Sequence, residues 1–326
     1  MAAERALLER AARWPAGGWR ELTVARLRQV AAGEGVDFAA ALLYDRLLRS
    51  PEHGPFIRRV HAAPAEAPAR GWRPAALVIV PGACYAEYPH TGADGRRLLA
   101  IAEGWGWRVE VIPVASFGPL AVNARTICGW LDGRPEGSVI LVSLSKGGAD
   151  VKTALALPGA ARAFRNVAAW VSLSGILFGS PLAGWFARHP VGRVLARLVA
   201  WYHRYDFAVL RELDHGPDTP LDGDLVLPPG LEVVHVVGLP LAAHLRSRLA
   251  RRSHRRLAAL GPSDGGGTLL GDVARLPGRV YPVWGCDHYL NPAWDITPLI
   301  ARLLRCVSDG RAGTVPGEVS APEVIA

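Results

Sequence analysis

Short apolar runs alternate with segments of helical periodicity along most of the chain. Between residues 75 and 306, each run rich in Val, Ile or Leu is followed by a stretch whose apolar positions recur every three or four residues. This alternation is typical of an α/β fold, in which helices connect the strands of a parallel sheet and cover both of its faces. The predicted strands are 75–80, 108–114, 138–144, 167–173, 231–238 and 279–284, and the predicted connecting helices are 95–105, 121–131, 146–157 and 294–307. We therefore predict a doubly wound, mostly parallel sheet.

The two ends of the chain depart from this alternation. The first 70 residues contain helical patterns at 21–30 and 38–48, and three prolines then mark a linker to the first strand. From Gly310 the chain is rich in Gly, Pro and Glu and has little apolar surface to bury. We predict a helical N-terminal extension over residues 1–70, a core over 75–306 and a disordered tail over 307–326. The extension caps the sheet, lines a pocket or forms a dimer, and the pattern does not choose among these.

An insert over residues 176–230 follows the fourth strand and is rich in large apolar residues. One face of its helical stretch carries five aliphatic residues, Val191, Val194, Leu195, Leu198 and Val199. The insert is expected to form a helical lid that supplies apolar residues to a binding site. The alternative is that the large apolar residues of the insert only pack it onto the core; they are Leu177, Phe178, Leu182, Trp185, Phe186, Trp201, Tyr202 and Phe207.

A second added segment, 241–260, is a helix candidate and the most basic part of the chain. It carries Arg246, Arg248, Arg251, Arg252, Arg255 and Arg256. Such a run is most often a solvated helix face. It is also suited to peripheral contact with an anionic membrane, a phosphate-bearing substrate or nucleic acid.

The formal net charge of +8 arises almost wholly from arginine, since Lys146 and Lys152 are the only lysines among 37 basic residues. With abundant Ala and Gly, this usage is also that of a GC-rich genome, so no specific nucleic-acid partner is implied. The four cysteines lie far apart, without the spacing of a zinc site or a disulfide framework. No apolar run reaches the length of a membrane span, and charges at Glu4 and Arg5 interrupt the first segment. We expect a cytoplasmic protein, and its oligomeric state stays open.

The sharpest chemical signal is a serine at a predicted strand-to-helix turn. The apolar run 139–144 leads into Ser143-Leu-Ser145-Lys-Gly147, and a helical pattern follows at once. So tight a turn needs small residues two positions before and after the serine, and Ser143 and Gly147 provide them. The N-terminus of the following helix offers backbone N–H groups to a developing oxyanion, and the N–H of Lys146 is one of these.

This turn resembles the nucleophile elbow of the α/β-hydrolase family, with Ser143 in place of the more usual first glycine. The resemblance covers residues 75–306 and implies an α/β-hydrolase fold with Ser145 as nucleophile. A near copy, Val171-Ser-Leu-Ser174-Gly175, lacks the elbow spacing, and we interpret it as a strand terminus in the floor of the site. Serine at the elbow, rather than aspartate, disfavours dehalogenase and epoxide hydrolase chemistry.

A serine hydroxyl needs a positioned imidazole to accept its proton, and His288 follows the last predicted strand, where the family carries its catalytic histidine. The family order of serine, acid and histidine places the acid between the fifth and sixth strands. Asp264 lies in a Gly-Pro-Ser-Asp-Gly-Gly-Gly segment that resembles the family's Asp-Gly loop, and it is the expected acid. Asp272 is the alternative, whereas Asp287, next to the histidine, is awkwardly placed.

The second oxyanion donor is expected in the loop after the first strand. There Pro81 departs from the histidine of the family's His-Gly motif, and Gly82 keeps the permissive backbone. The resemblance implies that the N–H of Ala83, or less favourably that of Cys84, faces the oxyanion.

These residues together imply acyl transfer from an ester or thioester through an acyl-serine intermediate, as in a lipase, carboxylesterase or thioesterase. No dinucleotide-binding, phosphate-loop or His-Glu-x-x-His motif competes with this interpretation, and neither a metal nor another cofactor is expected. The apolar insert favours an apolar acyl group in a small-molecule substrate. Two alternatives remain: an acyltransferase or biosynthetic tailoring enzyme with the same triad, and a non-catalytic binding protein that kept the hydrolase fold.

Overall fold

The N-terminal extension is helical and packs onto the rest of the protein. The computed structural model describes residues 2–15, 17–68, 73–134 and 137–312. The extension forms helices α1 (Ala2–Arg13), α2 (Val24–Glu34), α3 (Val36–Arg49) and α4 (Gly54–Ala62). Phe38, Leu42 and Leu43 of α3 are buried in one apolar cluster with strand residues such as Val78 and Leu141. Helix α4 contributes to the apolar cluster on the opposite face, so the extension adds to the hydrophobic core on both sides of the sheet.

Six strands form the centre of the fold. They are β1 (Ala76–Val80), β2 (Val109–Val111), β3 (Val139–Leu144), β4 (Val167–Leu173), β5 (Glu232–Leu239) and β6 (Arg279–Trp284). They make one sheet in the order β2-β1-β3-β4-β5-β6, and every neighbouring pair is parallel. This confirms the predicted doubly wound sheet. The edge strand β2 is shorter than the predicted 108–114, because the N–H of Val114 turns back to the Ile112 carbonyl at 2.8 Å and does not continue the ladder.

Helices connect the strands and cover both faces of the sheet. They are α5 (Arg96–Gly104), α6 (Leu120–Asp132), α7 (Lys146–Leu155), α8 (Ala160–Ala163), α9 (Pro181–Arg188), α10 (Pro190–His203), α11 (Val209–Glu212), α12 (Arg248–Leu257) and α13 (Thr297–Ala312). In β3, Leu141 belongs to the apolar cluster on one face, whereas Ile140 and Val142 belong to the cluster on the other. This strand is buried on both faces, which is why it reads as a continuous apolar run.

Helix α10 has the predicted amphipathic pattern, but its apolar face is not packed. The five aliphatic residues of that face keep between 50% and 60% of their surface exposed: Val191, Val194, Leu195, Leu198 and Val199. The buried residues of the helix are the small Gly192 and Ala200. The exposed face of α10 therefore does not pack the insert onto the core, whereas Leu177 and Phe178 of the same insert are buried in the core.

The basic segment is helical over a shorter range than 241–260. Ser247 begins α12 as its N-cap, because its hydroxyl accepts a hydrogen bond from the Ala250 N–H at 2.9 Å. Single 3-10 turns flank the helix at Ala242–His244 and Ala258–Leu260. All six arginines of the segment are exposed.

The last helix continues beyond the predicted end of the core. Helix α13 reaches Ala312 and buries Val307 and Ser308, so the first six residues of the predicted tail are helical. The remainder of that tail, 313–326, lies outside the described residues. Within the described ranges, none of the helices has both the length and the apolar character that crossing a bilayer requires.

Candidate active site

The Ser145 turn has the strained geometry that its sequence predicts. The serine joins β3 directly to α7 with φ of 49° and ψ of −115°, and a positive φ is costly for a residue with a side chain. A Cβ on Gly147 would lie 2.5 Å from the carbonyl oxygen of Val80 and 2.6 Å from that of Pro81. Residue 147 must therefore be glycine for the end of β1 to pass this close to the turn.

Ser143 is accommodated by a partner that the sequence did not reveal. Its side chain is fully buried, and its hydroxyl accepts a hydrogen bond from the indole N–H of Trp170 at 2.9 Å. Trp170 lies on the neighbouring strand β4. A hydroxyl in place of glycine is tolerated here because its buried oxygen is hydrogen-bonded.

His288 and Ser145, 143 residues apart in the chain, are in hydrogen-bond contact. The Nε2 atom of His288 is 2.8 Å from the Ser145 Oγ atom. The imidazole is buried, and the backbone N–H of His288 donates to the Asp264 carbonyl at 2.8 Å. The histidine loop is thus tied to the acid loop by the backbone as well as by side chains.

Asp264 is the carboxylate that contacts His288. Its Oδ2 atom lies 2.6 Å from His288 Nδ1, while Oδ1 accepts the backbone N–H groups of Gly266, Gly267 and Thr268 at 2.9 to 3.1 Å. The Thr268 hydroxyl donates to Oδ2 as well. With its side chain buried, Asp264 thus has donors at both oxygens. Thr268 was missed by sequence reasoning, because a threonine in a glycine-rich loop gives no separate signal.

These contacts shift the pKa values of both Asp264 and His288. Burial by itself raises the pKa of Asp264, but the charge of His288 and the hydrogen bonds from His288 and Thr268 lower it below the ordinary value of 3.8. Burial by itself lowers the pKa of His288, but the Asp264 carboxylate raises it above 6.5. A proton arriving on the imidazole is therefore stabilised by an ionised partner.

The other two candidate carboxylates, Asp272 and Asp287, have hydrogen-bond partners other than His288. Asp272 is 3.0 Å from His215 Nε2, so it pairs with a histidine of the insert. Asp287 accepts the N–H of Tyr289 at 3.1 Å in its own turn, and burial raises its pKa. Neither has a hydrogen bond to His288 among the described residues.

The loop after β1 lies against the serine turn. A Cβ on Gly82 would be 3.5 Å from the Ser145 Cβ, and the N–H of Ala83 has no acceptor within the described part of the chain. The same holds for the N–H of Lys146. The N–H of Cys84 instead donates to the Ser116 carbonyl at 3.0 Å, which leaves Ala83 and Lys146 as the available donors.

Unlike its backbone N–H, the side chain of Lys146 is buried inside the protein and does not face the oxyanion position. This side chain is 1% exposed, and its Nζ atom is 2.7 Å from one Asp150 oxygen and 3.0 Å from the other. Asn123 donates to Asp150 at 3.0 Å and also bonds both backbone groups of Ala115. The spacing of four residues between Lys146 and Asp150 on a helix was the available signal for this pair.

No family model matches the chain, and no curated protein matches it. Among solved structures, a metagenomic carboxyl esterase is 19% identical over 90% of both chains, with a TM-score of 0.48. The mature lipase BlEst2 of Bacillus licheniformis is 19% identical over 68% of this chain and 89% of its own, with a TM-score of 0.47. Carboxylesterase CesB of Bacillus subtilis is 16% identical over 69% of this chain and 80% of its own, with a TM-score of 0.34. The parallel sheet order and the serine turn between β3 and α7 define a doubly wound α/β fold.

Proposed function

We propose that the protein is a serine hydrolase of carboxylic esters. The observation that carries this proposal is the unbroken chain of hydrogen bonds from the Ser145 hydroxyl, through both ring nitrogens of His288, to Asp264. An imidazole that joins a hydroxyl to an ionised carboxylate makes that hydroxyl a nucleophile at neutral pH. The positive φ of Ser145 supports the same role, because backbone strain of this kind is concentrated at functional sites.

In the proposed mechanism, Ser145 Oγ attacks the carbonyl carbon of the substrate while His288 Nε2 takes the hydroxyl proton. Asp264 holds the Nδ1–H tautomer and stabilises the imidazolium. The N–H groups of Ala83 and Lys146 stabilise the oxyanion. The proton then passes from His288 to the leaving alcohol, and a water molecule activated by the same imidazole releases the acid from Ser145.

The surroundings of the serine favour an acyl group with apolar surface. The N–H of Ile176 donates to the Ser145 carbonyl at 3.0 Å, which places Ile176 beside the nucleophile. Ile176 is buried in an apolar cluster with Leu120 and Leu213, against which Phe117 packs. A thioester presents the same carbonyl carbon to Ser145, so we include both esters and thioesters among the proposed substrates.

Active-site labelling tests the nucleophile directly. A fluorophosphonate probe is expected to label the purified protein at Ser145, as located by peptide mapping, and to leave Ser145→Ala and His288→Ala unlabelled. Ser174→Ala is the matched control, because Ser174 also has a positive φ and follows a strand, yet its buried hydroxyl has no hydrogen-bond partner in the described residues. Unchanged labelling of the Ser145→Ala protein, or none of the folded wild-type protein, contradicts the proposal.

Substrate class is then measured with p-nitrophenyl esters and acyl thioesters of increasing chain length. We expect kcat/KM to rise with acyl length from the shortest esters and to fall by about 10⁴-fold or more in folded Ser145→Ala. Retention of most of the activity by that variant shows that another group performs the chemistry.

A further inference from the structure

Helix α10 exposes its apolar face to solvent, whereas an amphipathic helix of a globular protein usually buries that face. Its small residues Gly192 and Ala200 face the protein, while its bulky apolar residues face solvent. Besides the five aliphatic residues already named, Trp201 is 80% exposed and Tyr202 is 75% exposed. Trp185 of α9 explains the inversion, since a Cβ on Gly192 would already be 2.7 Å from its ring. We call the seven exposed residues the α10 face.

Positive charge borders the α10 face. Arg193 and Arg197 lie beside it, and the helix contains no acidic residue. Trp201 and Tyr202 stand at its C-terminal end, and these are the residue types that prefer the boundary between lipid and water. A helix that combines an apolar face with basic flanks is suited to lie in the plane of a membrane surface.

The basic helix α12 adjoins this region. The guanidinium carbon of Arg256 is 3.4 Å from the centroid of the Trp185 ring, and Trp185 also contacts Gly192 of α10. In the described part of the chain, Arg246 and Arg251 bond backbone carbonyls, and none of the six arginines of the segment forms an ion pair. Their charges are therefore available to an external anion.

We propose that the α10 face and the arginines of α12 together bind the protein to an anionic lipid surface. The apolar side chains enter the boundary between headgroups and acyl chains, and the guanidinium groups pair with lipid phosphates. The positive charge of the protein favours an anionic lipid surface over a second copy of the chain as the partner of this surface. A second copy has the same net charge of +8 and the same unpaired arginines, so the two copies repel each other. An anionic bilayer has the opposite charge and attracts these arginines.

Co-sedimentation with vesicles tests the apolar part of the proposal. The full-length protein is expected to bind vesicles of phosphatidylcholine with phosphatidylglycerol, and to bind them at least ~10-fold more weakly when Leu195→Gln and Leu198→Gln are combined. Val226→Gln is the control, because Val226 is 75% exposed and lies outside α10. Equal binding by the leucine double variant and the wild-type protein overturns the proposal, as does absence of wild-type binding.

The electrostatic part is tested by charge and salt. Arg252→Gln with Arg255→Gln is expected to weaken binding about 10-fold, while Arg58→Gln with Arg125→Gln, which removes the same charge from exposed positions elsewhere, has a smaller effect. Raising NaCl from ~0.1 M to ~0.5 M, or using phosphatidylcholine alone, should also weaken it. Equal loss in both arginine pairs shows that only net charge matters and overturns the role of α12.

Two further measurements separate this proposal from other outcomes. Ser145→Ala must bind vesicles as the wild-type protein does, so that binding is assessed independently of the proposed hydrolase activity. Sedimentation velocity shows whether a second copy of the chain, the alternative partner, binds at the α10 face. A wild-type dimer that the leucine double variant dissociates, without vesicle binding, shows that the α10 face joins two copies and overturns the lipid proposal.

Discussion

The imidazole of His288 lies directly against the backbone of Gly266. A Cβ at residue 266 would be 2.1 Å from both the Cβ and Cγ atoms of His288. The N–H of Gly266 also donates to Asp264 Oδ1 at 2.9 Å. One residue without a side chain therefore permits the histidine to approach and helps to hold the acid in place.

This contact predicts that Gly266→Ala displaces His288 from Ser145. Since a displacement of about 1 Å costs roughly 100-fold in rate at such sites, kcat is expected to fall by that order while circular dichroism is unchanged. Gly129→Ala, at an exposed position of α6 where a Cβ meets nothing within 4 Å, should leave activity intact. Full activity of Gly266→Ala would show that the loop shifts without cost.

Replacing Asp264 and replacing Asp272 are predicted to have sharply different effects on catalysis. Asp264→Asn is expected to slow fluorophosphonate labelling and ester hydrolysis by about 10⁴-fold, because the amide no longer favours the required tautomer of His288. Asp272→Asn removes only the contact to His215 and should change either rate by less than about 10-fold. A loss as large in Asp272→Asn as in Asp264→Asn is incompatible with the proposed triad.

Activity is predicted to fall on the acid side of a pKa above 6.5. His288 accepts the serine proton only when neutral, and its pKa is raised, so protonation at lower pH removes the base. The Asp287 charge contributes to this rise after that of Asp264. The acid limb of kcat/KM against pH should therefore move to lower pH in Asp287→Asn. An acid limb that stays in place, or moves to higher pH, argues against this electrostatic coupling.

The buried pair of Lys146 and Asp150 is predicted to matter for stability more than for chemistry. Lys146→Met leaves Asp150 buried without its cation, and the free energy of unfolding should fall by about 3–5 kcal/mol. Lys146→Met with Asp150→Leu should recover much of that loss, because no unpaired charge remains. Urea unfolding of both variants measures this. The folded fraction should still react with fluorophosphonate, since the backbone N–H of residue 146 is retained.

Mild acid is predicted to destabilise the fold through two buried histidines. Burial lowers the pKa of His53 and of His235 to about 4, against 6.5 in the unfolded chain. Protons therefore bind the unfolded state more tightly, and stability is lost as the pH falls from 6.5 towards 4, at up to ~1.4 kcal/mol per pH unit for each histidine. Urea midpoints at pH 7 and pH 5 check this. The loss should be smaller in His235→Leu, and an equal loss would point to other groups.

Much of the fold could be predicted from the sequence because it depends on residues that are close together in the chain. The predicted bounds of β4 and β6 agree with the structure, since each is a mostly apolar segment and glycines flank β6 on both sides. The strained turn at Ser145 was also readable, because a strand, small flanking residues and a helix follow one another directly in the chain. Choosing Asp264 over Asp272 rested on resemblance, as the two lie only eight residues apart.

Contacts between distant segments decided the rest. The sequence alone determined the succession of strands along the chain, the serine turn and the amphipathic pattern of α10, because each depends on the order of neighbouring residues. Only the tertiary structure paired Asp272 with His215, occupied the N–H of Cys84 with Ser116, and turned the bulky face of α10 outward. Periodicity shows that a helix has two faces, but the shape of the surface beneath, here filled by Trp185, decides which face is buried.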